Sequence, residues 1–162
     1  MIKIPEKEGR LSAAKAAHIE AVIAFVKRKT EGYRRDLFAN ISRVMLVSGT
    51  FEDMSARDDW SWLSDFILAD VETLKRMLSR PELLQFDEFK RMYSDYFSAG
   101  SDKYVDASTK YNAYMFIENL GVTICPYCDE EYLDVVENGN GGKLRTLEID
   151  HFFPKGKYPA LA

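Results

Sequence analysis

The chain has 162 residues, 46% of them hydrophobic and 30% charged, with nine Gly and five Pro. That is the composition of an ordinary folded protein, long enough for one core or for a domain with a small appended module. Met1 to Arg10 lacks the apolar segment of a signal peptide and no apolar run approaches the length of a bilayer span, so a soluble, cytoplasmic protein is expected. The formal charge is −4, and residues 119–162 hold four Lys/Arg against seven Asp/Glu. Affinity for nucleic acid comes largely from phosphate neutralisation by Lys and Arg, so this balance argues mildly against direct DNA binding and leaves most of any grip to a further segment or a partner.

From about residue 12 to 120 the pattern is helix after helix. Ser12 is a candidate N-cap, after which Ile19, Val22, Ile23 and Val26 recur at helical spacing until Thr30-Glu31-Gly32. A second helix is expected from Tyr33 to Val47, with Leu37, Ile41, Val44 and Met45 on one face and a stop at Ser48-Gly49. Residues 49–57 read as a polar loop. Asp58 or Asp59 then caps a third helix carrying Trp62, Phe66, Ala69 and Leu74, ended by Arg80-Pro81. Pro81 suits the first turn of a fourth helix, with Leu84, Phe89, Met92 and Tyr93 in its stripe. After Ala99-Gly100-Ser101-Asp102, a fifth helix places Tyr111, Tyr114, Met115 and Glu118 in successive turns and stops at Gly121. Such aromatic and methionine stripes are expected to pack into a core or against a partner rather than form a cofactor box.

At Gly121 the period changes. Val122-Thr123-Ile124 is strand-like and leads into Cys125-Pro126-Tyr127-Cys128. Tyr132 to Val136 and Leu144 to Ile149 are strand candidates on either side of Asn138-Gly139-Asn140-Gly141-Gly142, a strong hairpin signal. The fold class expected is mainly α: a helical domain over residues 1–120, followed over residues 121–162 by a two-cysteine turn and a β-hairpin.

Two constellations carry chemistry. Both cysteines of the chain lie in one C-x-x-C, a spacing that lets a tight turn present two thiolates to a tetrahedral zinc. Half a structural zinc site, a redox pair and two ordinary buried cysteines are the readings this leaves open. Cys-Pro-Tyr-Cys is also a glutaredoxin active-site string, but there it opens a helix near the start of a thioredoxin-like fold. Here only 34 residues follow Cys128 and they read as a hairpin, which rejects that context. Asp150 and His151 form the second constellation. Asp offers a hard oxygen to Mg²⁺ or Mn²⁺, and His is a sound general base for water near neutral pH. Neighbouring strand residues face opposite sides, so such a pair at a strand end can serve both sides of a scissile phosphate. Taken alone, the pair also fits a hydrogen-bonded loop. His18, on the first helix without an acidic or cysteine companion, reads as a structural or surface residue.

Taken together, Cys125-x-x-Cys128, a hairpin, and Asp150-His151-Phe152-Phe153-Pro154-Lys155-Gly156-Lys157-Tyr158-Pro159 resemble the HNH endonuclease family, whose ββα-metal module carries a zinc knuckle. The likeness is greatest to the PtuB-type HNH subunits of Septu and retron anti-phage systems, and it covers roughly Ile124 to Pro159. It implies that His151 is the general base, that Asp150 is a ligand of a catalytic Mg²⁺ or Mn²⁺, and that Cys125 and Cys128 are half of a structural Zn²⁺ site. Lys155 and Lys157 fall where such proteins approach nucleic acid, and Glu148 shares a strand face with Asp150. The implied function is hydrolysis of nucleic-acid phosphodiester bonds, most naturally DNA, in an anti-phage complex with an ABC- or SMC-like ATPase of the PtuA kind. The family's middle Asn, final His or Asn, and second cysteine pair do not occur before Ala162, so the natural protein is expected to continue. The competing expectations are a non-catalytic helical adaptor with a purely structural knuckle and, more remotely, a thiol-disulfide enzyme.

Overall fold

A computed structural model describes residues 9–78, 89, 91–97, 104–121, 135–137 and 143–145. The protein is mainly helical over these residues, and none of the helices is long and apolar enough to cross a membrane. The chain divides into two compact units, Met1–Ala21 with Arg91–Asp150 and Val22–Lys90 with His151–Ala162. The division falls within the first helix, α1 (Arg10–Lys27), which therefore begins in one unit and ends in the other. Ser12, expected as its cap, lies inside it; the first backbone bond of the helix instead runs from Ala13 N–H to the Gly9 carbonyl.

In the unit containing Val22–Lys90, short helices follow one another, each started by a side chain of its own. Thr30 accepts from Tyr33 N–H and opens α2 (Glu31–Met45) two residues earlier than the hydrophobic pattern alone suggests. The expected polar loop is a helix, α3 (Phe51–Ala56). Thr50 and Asp53 form a reciprocal capping box there, and Phe51 and Met54 turn inward. The single helix expected after Asp59 is two. Asp59 accepts from Ser61 N–H at the start of α4 (Ser61–Ile67), and Asp70 accepts from Thr73 N–H at the start of α5 (Val71–Leu78). A second capping carboxylate eleven residues after the first is enough to restart the chain as a new helix. Asp58 caps nothing. It adopts a left-handed conformation, and its carboxylate receives Lys27 Nζ and Trp60 Nε1 at 2.8 and 2.7 Å.

The core of this unit is aromatic. Phe38 meets the Trp62 ring edge-on at 5.2 Å and lies 5.9 Å from Phe51, which ties α2 to both α4 and α3. Val22, Val26, Leu37 and Leu63 of the same unit are fully buried. Burying one such aromatic or aliphatic side chain contributes about 1.5–3 kcal/mol.

The expected fourth helix is described at Phe89, which belongs to the unit containing Val22–Lys90, and from Arg91 onward in the unit containing Arg91–Asp150, where Met92–Phe97 is π-helical. The expected fifth helix starts late. Residues 105–111 form a tight turn closed by a two-residue bridge, with Val105 N–H donating to the Tyr111 carbonyl and Tyr111 N–H to that of Asp106. Only then does α6 (Ala113–Leu120) begin, capped by Asn112, whose side-chain oxygen accepts from the N–H groups of Tyr114 and Met115. Gly121 ends it in the left-handed conformation expected of a glycine stop.

Farther along, β1 (Val135–Glu137) and β2 (Lys143–Arg145) pair antiparallel, with Val135 opposite Arg145 and Glu137 opposite Lys143. This is the hairpin that the Asn-Gly-rich stretch between the strands foretold. Strand-like Val122-Thr123-Ile124 and the outer parts of both strand candidates lie outside the described residues.

Candidate functional site

The residues singled out for chemistry, Cys125, Cys128, Glu148, Asp150, His151, Lys155 and Lys157, all lie outside the described residues. What the structure supplies is the hairpin between the two constellations. Its register puts Val135 and Arg145 side by side at the end opposite the Asn138–Gly142 loop. The chain from Cys128 enters at Val135 and the chain toward Asp150 leaves at Arg145, so both constellations connect to the same end of the hairpin. Seven residue steps separate Cys128 from Val135 and five separate Arg145 from Asp150. At most about 3.6 Å per extended residue, those tethers are no longer than about 25 and 18 Å. Covalent connectivity thus permits the thiolates and the Asp-His pair to belong to one small module.

By donor chemistry, the two thiols suit zinc and the Asp150 carboxylate suits a hard divalent ion. Among the described residues no group of three or more His, Cys, Asp or Glu side chains is placed to hold a metal ion.

The described residues do contain one polar cluster that the sequence pattern did not announce. His18 on α1 and Tyr111, 93 residues away, share a hydrogen bond of 3.0 Å between Nδ1 and the phenol oxygen. Three aromatic rings surround the imidazole: Phe97 edge-on at 5.5 Å, Tyr111 at 5.7 Å and Phe116 at 5.8 Å. The residue keeps some exposure, but burial of the ring lowers its pKa from 6.5 to about 4, so the imidazole is neutral at physiological pH. Of the two roles expected for His18, this is the structural one. A neutral imidazole wedged among aromatic rings fixes α1 to the turn that precedes α6.

That turn is held from within by Asp106. Its carboxylate accepts from the hydroxyls of Ser108 and Thr109 at 2.7 and 2.8 Å and from both their backbone N–H groups. Burial works to raise the Asp106 pKa, but the two hydroxyls and two N–H groups together outweigh it and hold the carboxyl below its ordinary value. Lys110 takes the left-handed conformation that closes the turn and delivers Tyr111 to the imidazole. The Asp-x-Ser-Thr string was a usable turn signal; the long-range pairing with His18 had no local signal at all. The hydrogen bond and the three ring contacts hold α1 against the turn that precedes α6, so the cluster serves to build the helical scaffold.

No family model, curated protein or solved structure matches the chain.

Proposed function

We propose that this chain is a metal-dependent HNH endonuclease subunit that hydrolyses phosphodiester bonds of nucleic acid, with DNA as the substrate, in a cytoplasmic anti-phage complex. Its helical part would dock on an ABC- or SMC-like ATPase of the PtuA kind. The observation that carries the reading is the hairpin register. A cysteine pair and an Asp-His pair, arranged along the chain as in the HNH family, are tethered to adjacent positions at one end of an antiparallel hairpin.

In this reading Cys125 and Cys128 hold half of a structural zinc site that keeps the turn before the hairpin rigid. Asp150 supplies an oxygen ligand to Mg²⁺ or Mn²⁺, and the bound ion would offset charge developing on the phosphate. His151, as a neutral imidazole, takes the proton from the attacking water on the side of the phosphorus away from the leaving oxygen. Lys155 and Lys157 pair with flanking phosphates.

The test is cleavage of supercoiled plasmid by the chain together with its partner ATPase in Mg²⁺ or Mn²⁺. The expected result is nicking or linearisation by the wild type. His151→Ala should lose it by a factor of at least about 100 while still assembling with the partner, as removal of a general base requires. Undiminished cutting by His151→Ala would refute the role of that histidine. Assembly without cutting in any divalent ion would favour the non-catalytic adaptor.

A further inference from the structure

The acidic balance of residues 119–162 averages two segments of opposite sign. Residues 119–142 carry five acids and no Lys or Arg. Residues 143–162 carry four Lys/Arg against two acids, one of which is Asp150, the proposed metal ligand. The sign changes at the Asn138–Gly142 loop. The hairpin therefore pairs β1, whose one charged residue is the acid Glu137, with β2, whose charged residues are the cations Lys143 and Arg145.

Strand geometry sorts these residues onto faces. Residues opposite one another in an antiparallel pair share a face, and successive residues alternate. Val136 and Leu144 are thus on one face, and Val135, Glu137, Lys143 and Arg145 on the other. A two-stranded ribbon needs a face that packs against something else, and composition makes the Val136–Leu144 face the one suited to packing. Both cations of β2 belong to the opposite face. Lys143 has a structural explanation, because Glu137 stands opposite it and an oppositely charged cross-strand pair supports a hairpin. That explanation does not extend to Arg145. Its opposite position is Val135, at the hairpin end from which the chain runs five residues to Asp150.

We infer that β2 lies along the phosphate backbone of the DNA strand to be cut, with Arg145 the positioning cation nearer the proposed Asp150-His151 pair along the chain and Lys143 beside it. Two residues on one face of a strand are about 7 Å apart, close to the separation of successive phosphates along a nucleic-acid strand. A guanidinium pairs with phosphate bidentately, which fixes orientation as well as affinity, and an ammonium adds a point charge. Such contacts set the register of the duplex without reading its sequence. The inference rests on the nuclease reading for its choice of polyanion. It also answers the objection from charge, because the acids are concentrated before the hairpin loop and the cations after it.

The experiment measures binding of the full chain to a labelled duplex of about 30 base pairs by fluorescence anisotropy across a salt series. The Lys143→Ala/Arg145→Ala variant should bind more than about tenfold more weakly at low salt. Its slope of log affinity against log salt should be shallower by about one for each cation removed. The charge-conserving Lys143→Arg/Arg145→Lys variant should keep the wild-type slope, which separates lost charge from lost fold. Glu137→Gln removes the acid from the same face and should bind at least as tightly as the wild type. Weaker binding by Glu137→Gln, matching that of the alanine variant, would mean that the charges only hold the hairpin together and would overturn the proposal. Equal affinity and slope for the alanine variant would also overturn it, as would absence of duplex binding by the wild type. A wild type that binds through β2 but cuts in no divalent ion would sink the nuclease reading and leave the binding strand standing. Plasmid cleavage by a chain whose binding ignores both substitutions would do the reverse.

Discussion

The two compact units reach order by different means. In the unit containing Val22–Lys90, each helix starts at a residue that caps it from a few positions away: Thr30, Thr50 with Asp53, Asp59 and Asp70. Aromatic packing around Phe38 and Trp62 then holds the pieces together. The unit containing Arg91–Asp150 depends on polar groups inside it. Asp106 ties its own turn, Asn112 caps α6, and His18 reaches Tyr111 across 93 residues. The first kind of order is local and tolerant of change at any one cap. The second concentrates stability in a few buried or partly buried hydrogen bonds, whose loss leaves unsatisfied partners.

The sharpest way to break the comparison is through the largest core aromatic of the first unit. Trp62→Ala removes the ring that Phe38 packs against and should cost about 3–5 kcal/mol, read as a lower urea midpoint. In the other unit the corresponding lever is pH. Because the folded-state pKa of His18 is lowered to about 4, the unfolded chain binds its proton first as pH falls. The stability it contributes is full above pH 6.5 and declines between 6.5 and 4, by at most about 3 kcal/mol. Urea midpoints at pH 7.5 and 4.5 should therefore converge in His18→Phe relative to the wild type, and an unchanged gap would contradict the buried imidazole.

Asp106→Ala comes next, with an expected loss of about 2 kcal/mol from an opened turn. Since the Asp106 carboxyl is held below its ordinary pKa, its contribution is present above about pH 3.9 and fades only as pH falls below that. The two acid transitions are thereby separable in one pH series.

The smallest effects come from two left-handed helix ends, one in each unit. Gly121 fills its cap without strain, and a Cβ there would run into the Arg10 side chain, so Gly121→Ala should cost about 1–2 kcal/mol. Leu46 holds the same conformation at the end of α2 with φ of 53° and is 81% exposed. Leu46→Gly relieves the strain and should raise stability by about 0.5–1 kcal/mol, a rise of a few degrees in melting temperature.

The difference between the units also explains what could be read in advance. Helical periodicity located α1 and α2, and the Gly121 stop was plain. Thr50-x-x-Asp53 before an apolar run is a capping-box signal, yet the polarity of residues 49–57 masked it, because a six-residue helix is too short to show a period. Asp70 was likewise hidden inside an apolar pattern that continued across the break between α4 and α5. Tyr111 lay at helical spacing with Tyr114 and Met115 but belongs to the preceding turn, because Asn112 starts the helix only after it. The pairing of Tyr111 with His18 follows from tertiary packing alone and leaves no trace in either local sequence. For the candidate site, the hairpin was legible from its Asn-Gly loop and is found in antiparallel register. The side chains proposed to do chemistry rest on residue type and spacing.

Those side chains are proposed to form one module: the cysteine turn shapes the same hairpin end that presents Asp150 and His151. The most direct measurement is the rate of Mg²⁺-dependent plasmid cleavage by Cys125→Ser beside the wild type, each assembled with the partner and each retaining the helical far-ultraviolet signal. A fall of at least about tenfold, accompanied by loss of bound zinc, is the predicted result. Cleavage at the wild-type rate by a zinc-free Cys125→Ser protein would contradict it.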